Sequence, residues 1–398
     1  MDRSKLIIGA YYFDKSLWDD EHIKQVADAG IQFLVGVPAE QPLLDLCEKY
    51  GIKIIATSTF PCWWGGTGET GGTYCKSMPF EKFDEIAENY KRHPAIWGDY
   101  PIDEPNDKDF DYMGRIISRY CEKLPGLLPF INLHPYYEDI RCTAWLGAPY
   151  RKYLAEYLGY IPNDYVAFDI YPYSNRQVYT PTFLYGFDIN ADACRRAGRD
   201  LWVIVQAGAW KPEDMLDEYQ LRLQVNIALT YGARCIMYAS WSKGWWNETT
   251  ACVNTAGERN PMSYYVENVN KELRAISDVY MRYRNFCVTS VGNIDIAGAD
   301  VAPQLHEIRR INAELYGRKE FDICDKIRTD GALLCGCFED GKGGRAVMLT
   351  NIGNIDSPDA DASVSLGFDG EIYINGSRIN GNEFILRSGD AAFVIVKK

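Results

Sequence analysis

A cycle of one short β-rich run followed by one amphipathic segment repeats eight times over roughly the first 285 residues, and it limits the possible folds more than any other feature of the chain. The β-rich runs are Leu6–Phe13, Ile31–Val37, Ile52–Ser58, Ala95–Tyr100, Leu128–Leu133, Tyr165–Tyr171, Leu201–Gln206 and Cys235–Ala239. Helical spacing fills the intervals at Glu21–Ala29, Gln41–Tyr50, Phe80–Arg92, Phe110–Lys123, Tyr150–Leu158, Ile189–Ala197, Leu216–Tyr231 and Tyr264–Arg284. In the third of these, Phe80, Phe83, Ile86, Ala87 and Tyr90 fall three or four residues apart and form one buried stripe. Strands separated by helices pair in parallel, so eight such units predict a (β/α)8 barrel. The alternative is an open doubly wound sheet. It is weakened because no Gly-x-Gly-x-x-Gly follows the first strand.

Beyond Arg284 the texture changes to short alternating strands. Leu333–Phe338 and Ala346–Thr350 flank Glu339-Asp340-Gly341-Lys342-Gly343-Gly344, a hairpin pattern that Glu371–Gly376 and Ala392–Val396 continue. The expectation is a barrel over residues 1–285, then a linker or insertion and a small antiparallel β-sandwich over 286–398. Gly298–Arg318 reads as a helix or insertion between the two.

In a closed parallel barrel the C-terminal rim of the strands carries the chemistry. The fourth run ends in Asp103-Glu104-Pro105, and Pro105 disfavours a helical conformation at Glu104, which predicts an extended exit presenting that carboxylate at the rim. Period-two alternation sets Glu104 with Gly98 and Tyr100, and Asp103 with Trp97 and Asp99 on the other face; Pro101 marks a candidate bulge in that register. Other rim positions supply Tyr11, Trp63, Trp64, Asn132, His134, Asp169, Tyr171, Gln206, Trp210, Trp241 and Trp245. Tyrosine and tryptophan rings pack against the C–H faces of a sugar while neighbouring polar groups bond its hydroxyls. Hence these residues, Asp169 apart, are ten expected contacts to a carbohydrate substrate.

The formal net charge of −13 argues against a nucleic-acid or anionic-membrane partner. No stretch of about 18 apolar residues predicts a membrane span. Twelve scattered cysteines suit a reduced, cytoplasmic protein, with export behind a removed leader as the alternative. The Gly65–Gly72 loop lacks the Gly-Lys-Ser/Thr ending of a phosphate cradle. Cys335 and Cys337 share one strand face, but no second Cys or His pair follows, so neither a metal nor an organic cofactor is expected.

The run His93-Pro94-Ala95-Ile96-Trp97-Gly98-Asp99-Tyr100 into Asp103-Glu104-Pro105, with Leu201–Gln206 at strand seven and a C-terminal β-sandwich, resembles the clan A glycoside hydrolases. That resemblance implies a retaining enzyme with an acid/base glutamate after strand four, here Glu104. It also implies a nucleophilic glutamate at the end of strand seven, where this chain has Gln206. An amide cannot form the glycosyl ester of double displacement. Three mechanisms stay open: inversion with Glu104 as acid and Asp169 as base, retention with Asp169 as nucleophile, and substrate assistance with Asp103 orienting a 2-acetamido group, as in a family of hexosaminidases. The first is the leading expectation. A non-catalytic carbohydrate-binding protein on a hydrolase scaffold, or a sugar lyase or isomerase, is the competing class, and oligomeric state is left open.

Overall fold

The computed structural model describes residues 2–173, 182–316, 322–353 and 359–397. Eight parallel strands, Ile7–Tyr11, Phe33–Val37, Lys53–Ala56, Ile96–Asp103, Leu128–Leu133, Tyr165–Ile170, Asp200–Gln206 and Ala233–Ala239, pair in chain order. The eighth pairs back onto the first, with Ile7 opposite Cys235, which closes the barrel. A two-residue ribbon, Trp63–Trp64, adds a ninth strand beside Ile102 and Asp103. The helices between them wrap the outside. The first expected helix is observed one residue earlier, at Asp20–Asp28, and Phe110–Lys123 coincides with its sequence reading.

Local chemistry accounts for these elements. Gln41–Tyr50 starts with Pro42 in its first turn, where no N–H is missed, and ends at Gly51 with φ +70°, a left-handed cap that glycine adopts freely. It buries Leu43, Leu44 and Cys47; each fully buried leucine contributes about 1.5–3 kcal/mol. Phe110–Lys123 likewise turns Phe110, Met113, Ile116, Ile117 and Tyr120 onto the barrel. Inside the barrel, Trp202 stacks on Tyr165 at 4.2 Å and on Trp97 at 5.7 Å between ring centres, so the interior is a packed core.

The last barrel helix, Pro261–Tyr280, leads into Arg284–Gly292, the edge of a six-stranded antiparallel sheet that continues through Ala332–Glu339, Arg345–Asn351, Ala391–Val396, Gly370–Ile374 and Ser377–Ile379. Three strands, Ile327–Thr329, Ala362–Leu366 and Glu383–Leu386, form a second sheet against it. The six-stranded sheet is buried on both faces: Leu334, Phe338, Met348 and Phe393 join the barrel core, whereas Leu333, Cys335, Val347 and Val394 pack between the sheets. The helix expected near Gly298–Arg318 is Ala302–Tyr316; residues 317 and 318 lie outside the described residues. Among the described residues no helix is long and apolar enough to cross a membrane.

Candidate active site

The fourth strand decides the geometry of the rim. It carries one extra residue between Ile96 and Gly98 relative to its third-strand partners Ile54 and Ile55. A second irregularity falls between Asp99, opposite Pro129, and Ile102, opposite Ile131. Pro101, which has no N–H to donate to a ladder, sits inside that bulge. The bulge rotates the register, so Tyr100 joins the barrel interior, Ile102 the outer core, and Asp103 turns inward again to accept the Tyr100 hydroxyl at 2.5 Å. Asp99 points outward, where Tyr90 and Tyr120 donate to it at 2.8 and 2.6 Å. The alternation that grouped Asp103 with Asp99 is therefore corrected.

A second correction concerns Glu104. Its backbone is not extended but left-handed, with φ +46°, a conformation that costs a non-glycine residue of order 1–3 kcal/mol. The ribbon Trp63–Trp64 braces it, because Gly65 donates its N–H to the Asp103 carbonyl at 2.8 Å. A Cβ on Gly65 would lie 1.9 Å from the Glu104 carbonyl oxygen, so only glycine allows that approach. On its other side Glu104 donates its N–H to the Asn132 carbonyl at 2.9 Å.

The turn aims the Glu104 carboxyl between two groups. Trp64 Nε1 donates to Oε2 at 2.7 Å, and His134 Nδ1 lies 3.3 Å from Oε1, off the line of a good hydrogen bond. The other ring nitrogen, His134 Nε2, faces the Gly66 carbonyl at 3.0 Å. A carbonyl only accepts, so Nε2 carries the proton and Nδ1 presents a lone pair to Glu104. Burial pushes the His134 pKa down and keeps the ring neutral. It pushes Glu104 up to about 8, helped by the Asp103 charge and opposed by the Trp64 hydrogen bond. A protonated Glu104 accepts from Trp64 Nε1 and turns its O–H toward the Nδ1 lone pair, where an ionised carboxylate would set two acceptors face to face.

Asp169, at the end of the sixth strand, is also pushed up to about 8, first by burial and then by the Glu104 charge. Asn132 Nδ2 donates one hydrogen to Asp169 Oδ1 at 3.1 Å and the other to Asp103 Oδ1 at 3.2 Å. Hydrogen bonds from an amide favour the charged carboxylate, so Asn132 favours ionised Asp169 and Asp103 while His134 favours neutral Glu104. Burial raises the Asp103 pKa too, and the Tyr100 and Asn132 bonds hold it back.

The expected aromatics divide. Trp64, Trp210 and Trp245 are 54%, 49% and 37% exposed and ring the opening. Trp245 and Trp210 lean on Trp246 at 5.6 and 4.9 Å, and Tyr171 meets Trp246 at 5.4 Å. Two others are corrected. Trp241 is wholly buried, and Trp63 packs on Tyr74 at 5.3 Å in the outer core, because the ribbon alternates its two side chains between core and solvent. Tyr11 lies below the rim, its hydroxyl 3.3 Å from that of Tyr100. Gln206 is corrected as well: wholly buried, it accepts the Tyr173 N–H and donates to the Gly208 carbonyl, both at 2.9 Å, and thus braces the rim backbone instead of facing a ligand. Trp246, which the sequence pairs with Trp245 as a sugar platform, is instead buried behind Trp210 and Trp245, and Tyr100 is the residue that sequence reasoning misses. The signal for Tyr100 was its place three residues before Asp103 across a proline.

No family model matches the chain, and no curated protein matches it. Among solved structures it is similar to the endo-β-1,4-mannanase of Thermotoga petrophila, at 10% identity and TM-score 0.45, over 96% of this chain and 97% of that one. The endo-1,4-β-mannanase of Rhizomucor miehei aligns at 11% identity and TM-score 0.46, over 68% of this chain and 95% of that one. The β-D-glucuronidase of Dictyoglomus thermophilum aligns at 10% identity and TM-score 0.47, over 67% of this chain and half (50%) of that one. These are likenesses of fold; the chemistry of the rim rests on its own residues.

Proposed function

We propose that the chain is a glycoside hydrolase in which Glu104 is the general acid and Asp169 the general base of an inverting displacement. The carrying observation is the asymmetric pair itself: two carboxyls whose pKa values burial raises to about 8, one set against a histidine lone pair and the other against an amide donor. The histidine lone pair favours the protonated form of Glu104 and the amide donor the ionised form of Asp169, which is the division of labour that acid–base cleavage needs.

Glu104 gives its proton to the glycosidic oxygen as the C–O bond breaks. Asp169 takes a proton from the water that attacks the anomeric carbon from the opposite face. Each turnover leaves Glu104 ionised and Asp169 protonated, and exchange with solvent resets them. The two residues stand on strands four and six, one strand apart from neighbours, so their backbones are roughly 9–10 Å apart. An inverting displacement requires about 6.5–9.5 Å between the two carboxyl groups and a direct nucleophile about 5–5.5 Å, and the product anomer distinguishes the two. Trp64, Trp210 and Trp245 supply flat faces for the sugar, and Asn132 orients Asp169.

Wild type and Glu104→Gln assayed on a panel of aryl glycosides test this directly. The expected loss is about 10²–10⁴-fold in kcat/KM, with a comparable loss for Asp169→Asn. Turnover that survives Glu104→Gln rejects the acid assignment, and ligand binding with no turnover in wild type favours a carbohydrate-binding protein. Retained configuration in the first product anomer seen by NMR rejects inversion. Asp103, which lies beside Glu104 and accepts from Tyr100 and Asn132, supports the acetamido reading as second choice; hydrolysis of glucosides but not of N-acetylglucosaminides removes it.

A further inference from the structure

In the strand Ala332–Glu339, alternate residues face opposite ways: Leu334 and Phe338 join the barrel core, and Leu333, Cys335 and Cys337 point between the two sheets. Cys324 comes to the same place from the short turn Cys324–Lys326 that leads into the three-stranded sheet. Its Sγ lies 3.6 Å from Cys335 Sγ and 3.6 Å from Cys337 Sγ, and the three sulfurs fall within 4.8 Å of one another. Cys287 stands directly across the ladder from Cys337, and its thiol is a hydrogen-bonding neighbour of that residue. The surroundings, among them Ile323, Ile327, Leu333 and Val347, are apolar.

We propose that Cys324, Cys335 and Cys337 form a binding site for a thiophilic cation, zinc being the best fit, that ties the two sheets of the sandwich together. A tetrahedral zinc thiolate with Zn–S near 2.3 Å places its sulfurs about 3.8 Å apart, close to the two observed separations. An all-sulfur donor set selects zinc, cadmium or copper(I) over magnesium and calcium. Binding forms three metal–sulfur bonds, breaks three S–H bonds and releases the three protons to solvent, so affinity falls as pH falls. A water completes the fourth position, or Cys287 does so with the release of a fourth proton. Cys324, 8% exposed against 0% and 2% for Cys335 and Cys337, lies nearest the surface and offers the way in. A disulfide suits the cluster less well, since Cys324 is equally far from two thiols and pairing with either leaves the other stranded. Sequence spacing argued against zinc because the ligands come from separate stretches that only the sandwich brings together.

The test uses the full chain, reduced and stripped with a chelator, and titrated with Cd²⁺ while the ultraviolet thiolate-to-metal charge-transfer band is followed. The expected result is saturation at one cadmium per chain, displacement by Zn²⁺, and protection of at least three thiols from a thiol reagent on zinc addition. A Cys335→Ser/Cys337→Ser double variant is expected to lose the band, and Cys47→Ser/Cys142→Ser, two buried barrel thiols, to keep it. Because buried serines can unfold the sandwich, Cys324→Ser at its edge provides a milder arm, with affinity lowered about tenfold or more. Absence of a saturable band in wild type, persistence of the band at full strength in the Cys335/Cys337 variant, or an intact mass showing Cys324 already in a disulfide would overturn the proposal.

Discussion

Replacing Glu104 by Gln should stabilise the protein, by an amount that grows with pH. In the fold the Glu104 carboxyl has its pKa raised from 4.5 to about 8, mainly by burial. Because the folded pKa lies above the unfolded one, the stability of the wild type is fully present below the unfolded pKa and is lost as pH rises through the interval to about 8. At about 1.4 kcal/mol per pKa unit, the full interval corresponds to roughly 5 kcal/mol. The pair with Asp169 titrates together, and relief of one charge also relieves the other, so roughly 2–5 kcal/mol is the expected gain. Glutamine reproduces the neutral acid: its carbonyl accepts from Trp64 Nε1 and its amide faces the His134 Nδ1 lone pair, so the one hydrogen bond to the side chain is kept. Thermal melts of wild type and Glu104→Gln at pH 4.5, 6, 7.5 and 9 should therefore coincide at the lowest pH and separate by a few degrees at the highest. A separation that is independent of pH, or a variant less stable than wild type at high pH, would refute the buried, neutral carboxyl on which the proposed acid role rests.

Other perturbations probe the rim from different sides. Gln206→Glu would set a carboxylate against the Gly208 carbonyl where an amide now donates, and should destabilise the fold by about 2–3 kcal/mol at neutral pH without restoring a retaining mechanism; denaturant melts and product-anomer NMR check both halves. Gly65→Ala drives a Cβ into the Glu104 carbonyl oxygen and should lower activity at least tenfold through displacement of the acid, with about 1–3 kcal/mol of destabilisation, whereas Gly159→Ala, which meets nothing within 4 Å, should leave activity unchanged; paired kinetics and melts tell them apart.

The strand–helix cycle was legible because period and punctuation are local. Gln41–Tyr50 and Phe110–Lys123 fall where their apolar spacing puts them, and all eight barrel strands overlap the runs read from the sequence. The rim was legible only as a roster. Trp63 and Trp64 are identical as letters, yet one packs on Tyr74 and the other is open, a difference set by which way a two-residue ribbon pairs with Ile102 and Asp103.

Periodicity and punctuation alone thus determined eight strand–helix units, the antiparallel strands behind them and Glu104 after the fourth strand, because each follows from side-chain spacing along a short stretch, whereas closure of the barrel needed the pairing of its eighth strand with its first. Tertiary structure decided the rest. The bulge at Pro101 turned Asp103 into the pocket, Gly65 gave the Glu104 backbone room for its left-handed turn, Tyr173 and Gly208 claimed Gln206, and the sandwich gathered Cys324 with Cys335 and Cys337. Register shifts and long-range contacts are properties of paired segments, and their energies appear only when residues far apart in the chain become neighbours.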